Sequence, residues 1–200
     1  MASPSGGDDA RISDPQRIRA LAHPLRLELI DVLGTEGEIT ATRCAEITGQ
    51  SVASCSFHLR MLAKYGWVEA AEPRGREKPW RLVRRARTIA PDYDDPSSVR
   101  EVSAFAQLIV EREAERLRTW LSRAGTEPAA WIEASTISTT SFWATSEELA
   151  EIGRELVDLH TRITERFGER RSDPASRPEG ARPVHFLGAT SVDVGAEAGR

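Results

Sequence analysis

Between Ser51 and Tyr65 the apolar positions Val52, Cys55, Leu59 and Leu62 recur at intervals of three, four and three residues. That spacing places them on one face of a helix and leaves polar residues on the other. Similar periodicity marks out the segments before it. Asp14-Pro15 reads as an N-cap followed by proline at the first helical position, ahead of Ile18, Leu21 and Ala22. His23-Pro24 interrupts and restarts the helix, because proline disfavours helical geometry in the residue before it. Leu25, Leu29, Val32 and Leu33, with Leu27 and Ile30 beside them, then predict a largely buried helix ending at Gly34. A third helix is predicted over 41–48, capped by Thr40, with Cys44, Ala45 and Ile47 facing inward. Gly49-Gln50 supplies a tight turn into the helix opened by Ser51, and Gly66 ends that helix.

After Gly66 the period changes. Residues 67–71 and 80–83 read as short strands, and Pro73, Arg74, Gly75 and Arg76 carry the turn chemistry between them. Two helices joined by a short glycine-containing turn and followed by a hairpin predict a winged helix-turn-helix. The stretch "PDYDDPSS" reads as a linker. Residues 98–124 then form a long amphipathic helix, with Val102, Phe105, Ile109, Val110, Leu117 and Leu121 mainly on one face. A stripe of this length must pack on something, either the same chain or a second copy.

Further on, 131–145 ("WIEASTISTTSFWAT") is rich in β-branched and aromatic residues and predicts a strand. Thr145, Glu147 and Glu148 open a helix to about Phe167, with Leu149, Ile152, Leu156, Leu159 and Ile163 at helical spacing. A last strand is predicted over 183–189. The fold class expected is α+β, mainly α. The divisions expected are a disordered N-terminus (1–13), a winged helix-turn-helix domain (14–88), a linker (89–97), a long dimerisation helix (98–125), a strand-helix-strand region (126–190) and a flexible tail (191–200).

Charge changes this picture. The chain has a net charge of -4, which argues against nucleic acid as a partner until it is divided by position. Residues 1–53 carry -3, residues 54–87 carry +6 and residues 88–200 carry -7. Positive charge is thus focused on the fourth helix and the hairpin, where it can attract phosphates despite the acidic remainder. No run approaches the roughly 18 apolar residues of a membrane span, and "MASPSGGDDARIS" lacks the features of a signal peptide. Two cysteines without a CxxC pair suit a reducing compartment. A cytoplasmic protein without membrane partners is expected.

The stretches "IRALAHPLRLELIDVL" and "SCSFHLRMLAKYGWVEAAEPRGREKPWRL" together resemble the ArsR-type winged helix regulators of bacteria. Ser56, His58, Leu59, Leu62, Gly66 and Val68 fall on that family's recognition-helix motif, and Trp67 replaces its usual leucine. The resemblance covers about residues 14–85. The C-terminal part is similar to that of a larger subgroup of actinobacterial character. The resemblance implies a homodimer that binds double-stranded operator DNA, often as a repressor relieved by a ligand. Ser51, Ser54, Phe57, His58 and Arg60 are the candidates for reading the major groove, with Ala53 beside them. Arg74, Arg76, Lys78 and Arg81 are the candidates for phosphate or minor-groove contact from the wing.

Metal sensing by this family uses close cysteine pairs, or His and Asp on a helix after the wing, and this sequence departs from both. Cys44 and Cys55 occupy apolar positions, and His160 near Asp158 has no second histidine at helical spacing. No metal or cofactor is expected. No catalytic motif is present, so an enzyme is not expected. Phe105, Trp120, Trp131, Phe142 and Trp143 concentrate aromatic residues in the second half and suit a pocket for an apolar or aromatic effector; a dimer core is the competing reading. From another class, a protein-interaction module on a winged helix fold that has lost DNA binding also fits these features.

Overall fold

The structure is a computed structural model of the chain and describes residues 11–73, 75, 78–83 and 88–195. In chain order its elements are β1 (Arg11–Ile12), α1 (Pro15–Arg19), α2 (Pro24–Glu36), α3 (Ala41–Thr48), α4 (Val52–Lys64), β2 (Val68–Ala70), β3 (Trp80–Leu82) and β4 (Thr88–Ile89). There follow α5 (Pro96–Ser122), α6 (Ala129–Ala134) and α7 (Ser146–Ser172). The architecture is α+β and mainly α. The chain divides into two compact units, residues 1–112 with 170–177, and residues 113–169 with 178–200.

In the first unit, side-chain caps set where the helices begin. Asp14 accepts a hydrogen bond from the Gln16 amide, His23 Nδ1 from Leu25, Thr40 from Arg43 and Ser51 from Ser54. Each satisfies a backbone donor that a helix leaves open at its first turn. The core beneath them is aliphatic: Leu29, Leu33, Cys44, Cys55, Leu59 and Leu62 are all buried. β2 and β3 pair antiparallel with Val68 opposite Leu82, and Ile39 extends this sheet by exchanging backbone hydrogen bonds with Trp80 at 3.0 and 2.8 Å. Phe105, Leu108 and Ile109 of α5 pack against the same core, so the first part of the long helix belongs to this unit.

Several expectations are corrected here. Gly34 does not end α2; it is buried within the helix, which closes at Gly37 (φ 78°). The burial of Leu29 and Leu33 carries the helix past one unfavourable glycine. Ile47 and Val52 were expected inward and are 40% and 45% exposed; each lies in the terminal turn of its helix, next to the connection between α3 and α4. Residues 1–10 of the N-terminus expected to be disordered lie outside the described residues, whereas Arg11 and Ile12 form β1, parallel to β4. The stretch read as a linker is held in place. The buried Ser98 hydroxyl donates to the Ser13 carbonyl at 2.6 Å and accepts from the Asp92 amide at 3.0 Å. Asp95 accepts from the Ser97 amide and hydroxyl, which holds its carboxyl below the ordinary range.

The second unit differs in kind. None of its described residues is buried. The strand expected over 131–145 is not formed: residues 129–134 are α6, and the remainder has no regular structure. Pro128 starts a helix readily and Ala129-Ala130 favours it, so local propensity prevails over the β-branched residues that follow. The strand expected over 183–189 is also absent, because strand propensity yields a strand only where another strand pairs with it. α7 follows its sequence signature closely. Thr145 and Glu148 form a reciprocal capping box at 2.8 and 3.2 Å, and Leu149, Ile152, Leu156, Leu159 and Ile163 share a half-buried face.

Candidate nucleic-acid interface

α3 and α4 are joined by Gly49, Gln50 and Ser51. Gly49 has φ +68°, a left-handed conformation that lets the chain reverse within three residues and that side chains disfavour. This turn seats α4 with Cys55, Leu59 and Leu62 against the core. At 100° per residue the direction opposite those three is occupied by Ala53, Phe57, Arg60 and Lys64, and all four are exposed. A helix that is fully buried on one side and open on the other is the form that fits into a groove.

The expected groove-reading residues have different placements on this helix. Arg60 is exposed and forms no ion pair among the described residues, so its guanidinium is available to an external acceptor. Phe57 is 54% exposed, an unusual position for a large apolar ring, and it suits contact with an apolar group such as a thymine methyl. The Ser51 hydroxyl is engaged as the helix cap, and Ser54, half-buried, supplies the amide it holds. His58 turns inward from the open face. Its ring lies 4.5 Å from that of His23 and 5.2 Å from Phe57, and its Nδ1 is buried without a hydrogen-bond partner. Desolvation, then the proximity of His23 and Arg26, holds the His58 pKa below its ordinary value. Desolvation and Arg26 lower His23 in the same way.

Lys64 was not singled out from the sequence, although its position four residues after Arg60 and seven after Phe57 is a helical signal. Its ammonium lies 5.4 Å from the Tyr65 ring. The Trp67 indole N–H donates to the Arg17 carbonyl at 3.0 Å, tying the end of α4 to α1. That bond accounts for a tryptophan at this position.

In the hairpin, Arg74 and Arg76 lie outside the described residues. Lys78 is exposed. Arg81 is engaged within the sheet: its guanidinium meets Glu69 at 2.8 Å and Glu38 at 3.4 Å. The Glu69 hydrogen bond, then the charges of both carboxylates, raises its pKa. A phosphate at Arg81 would have to compete with two carboxylates.

Cys44 and Cys55 are buried in the core, and burial pushes the Cys44 thiol up to about 12, with Cys55 adding to the effect. A thiol held in that form does not offer the thiolate a soft metal needs. Among the described residues no group of three or more His, Cys, Asp or Glu side chains is arranged to hold a metal ion. No helix among them is long and apolar enough to cross a membrane. The five aromatic residues of the expected effector pocket are divided. Phe105 packs on the first unit's core, while Phe142 and Trp143 are 53% and 82% exposed. Trp120 and Trp131 converge on Arg182, whose guanidinium carbon lies 5.9 and 5.2 Å from their ring centres.

A family model described as a helix-turn-helix domain matches residues 21–69. No curated protein matches the chain. One similar solved structure is the solution NMR structure of a homodimeric winged helix-turn-helix DNA-binding domain from Mycobacterium bovis, described as a possible ArsR-family transcriptional regulator. It is 26% identical, covers 56% of this chain and 91% of its own, and has a TM-score of 0.34. A crystal structure of a possible transcriptional regulatory protein from the same organism is 28% identical, covers 48% and 88%, and has a TM-score of 0.32. The matched segment runs from the start of α2 through α3, the glycine turn and α4 into β2. Residues 21–69 of this chain are a helix-turn-helix domain, the module with which regulators of transcription bind DNA.

Proposed function

We propose that this chain is a homodimeric, sequence-specific regulator of transcription of the ArsR type, acting as a repressor in the cytoplasm. α4 enters the major groove of double-stranded operator DNA, with Arg60 and Phe57 at base edges. Lys64 and the wing residues Arg74, Arg76 and Lys78 hold the sugar-phosphate backbone. Ser51, Ser54 and His58 set the position of the helix from its capped end and its inner flank. The observation that carries this reading is the open stripe Ala53, Phe57, Arg60 and Lys64, opposite the buried side chains of Cys55, Leu59 and Leu62. The domain extends over about residues 14–88. The helix after it dimerises, since Val110, Leu117 and Leu121 form one exposed apolar stripe along α5 that a second copy would cover. The homodimeric Mycobacterium bovis domain is consistent with that assembly.

The test is to map the genomic sites the protein occupies and to titrate one of them at several salt concentrations. Arg60→Ala should weaken binding about tenfold or more and relax base preference, as expected for a lost base contact. Arg76→Ala should weaken all sequences alike and reduce the salt slope by about one. Unchanged affinity and slope in both variants would overturn the reading and make the domain a protein-interaction module.

A second reading adds an effector sensed by the C-terminal unit. It is favoured by the convergence of Trp120 and Trp131 on one guanidinium.

A further inference from the structure

The end of α5, the short turn after it and α6 form a corner that presents two indole faces and a carboxylate to one point. Trp120 lies at the end of α5, Trp131 in α6, and Glu127 between them. The Glu127 side chain is only 10% exposed although it carries no surrounding core. Arg182, from the stretch after α7, enters this corner. Its guanidinium lies over both indoles and meets the Glu127 carboxylate at 2.8 Å. The Arg182 hydrogen bond is the largest influence holding Glu127 ionised, and Arg123 adds a second contact at 3.6 Å. Electron-rich ring faces joined to a carboxylate attract a cation of low hydration, and tryptophan is the strongest of the aromatic side chains in this role.

We propose that Trp120, Trp131 and Glu127 form a binding site for an organic cation, of the alkylammonium or guanidinium class, which Arg182 occupies in the free chain. The proposal rests on the effector reading above and gives it a ligand chemistry. The ligand is cationic, where the sequence alone suggested an apolar or aromatic one. Arg182 is 40% exposed, and the stretch that carries it, 178–195, has no regular structure and no buried residue. The same stretch is also tied at His185, which meets Arg116 at 3.2 Å and Glu113 at 3.9 Å, so an incoming cation displaces the Arg182 side chain without opening a core. Arg182 acts as an internal competitor, and entry of a ligand frees its guanidinium from the corner while His185 still holds the segment. Arg123 remains beside Glu127 after the exchange, so the discrimination rests mainly on the two indoles.

The test uses the full chain and choline as probe, with 3,3-dimethyl-1-butanol as its uncharged isostere, and direct calorimetric titration without DNA. Arg182→Ala and Arg182→Gln should bind choline saturably and at least about tenfold more tightly than the unsubstituted chain. The alcohol should not bind. Trp131→Leu added to Arg182→Gln should abolish binding, with helical circular dichroism unchanged. Absence of saturable binding to both Arg182 variants, equal binding of the alcohol, or equal affinity in the unsubstituted chain would each overturn the site. A parallel titration of operator DNA with and without choline tests the effector reading separately. Choline bound without any change in DNA affinity would leave the site standing and refute its role in regulation.

Discussion

α4 and α7 carry the same kind of apolar periodicity and reach different ends. In α4, Cys55, Leu59 and Leu62 are completely buried, whereas in α7 the five residues at helical spacing are all only half-buried. The difference lies in what surrounds each helix. α4 is enclosed by α2, α3 and β2, and the caps at Thr40 and Ser51 with the turn at Gly49 hold those elements at packing distance. The second unit has no such enclosure, and Leu117, Leu121, Ile137 and Val157 lie open to solvent. A helical stripe records that a face wants to be covered, and the neighbours decide whether one chain suffices to cover it.

The largest expected effect probes this contrast directly. Leu59→Ala should destabilise the first unit by about 2 to 5 kcal/mol, because it removes a side chain with no exposure and leaves a cavity. Leu156→Ala should cost about 1 kcal/mol, because only part of its surface leaves water. Urea unfolding followed by circular dichroism gives both values, and equal losses would break the comparison. Next in size, Leu117→Glu combined with Leu121→Glu should leave the stability of the first unit unchanged but raise the dimer dissociation constant about 100-fold, measured by sedimentation. No change in association would mean that this stripe is not the dimer face.

A smaller effect is expected with pH. His23 and His58 both have pKa values lowered from 6.5 in the fold, so below that value the unfolded chain binds more protons than the folded one. Their contribution is complete above about pH 6.5 and is lost as pH falls toward the folded values. The melting temperature should therefore drop from about pH 7.5 to about pH 5.5, and His58→Gln should flatten that dependence. The second unit has no histidine pair of this kind among its described residues, and its His160 shows no resolved interaction with another ring.

Much of the helix-turn-helix was legible because its determinants are local. Capping residues, the glycine turn and the three-four-three spacing of α4 each depend on residues within one or two turns. The exposed stripe of α4 was only partly legible. Phe57 and Arg60 were read from the helix, while Lys64 has the same spacing and was passed over. The strands expected over 131–145 and 183–189 failed for a different reason. Their composition favours extension, but a ladder requires a partner strand, and composition carries no information about one.

By itself, the sequence determined where α1 to α4 and α7 start, which face of α4 is apolar, and that positive charge gathers between residues 54 and 87. Those properties follow from neighbours along the chain and from the fixed period of a helix. Only the tertiary structure decided that His58 packs against His23, that Arg81 is held by Glu69 and Glu38, and that Phe105 joins the core. It also brought Arg182 to Trp120 and Trp131. In each case the partner lies in another element of the chain, and folding, with the packing it imposes, is what brings the two into contact.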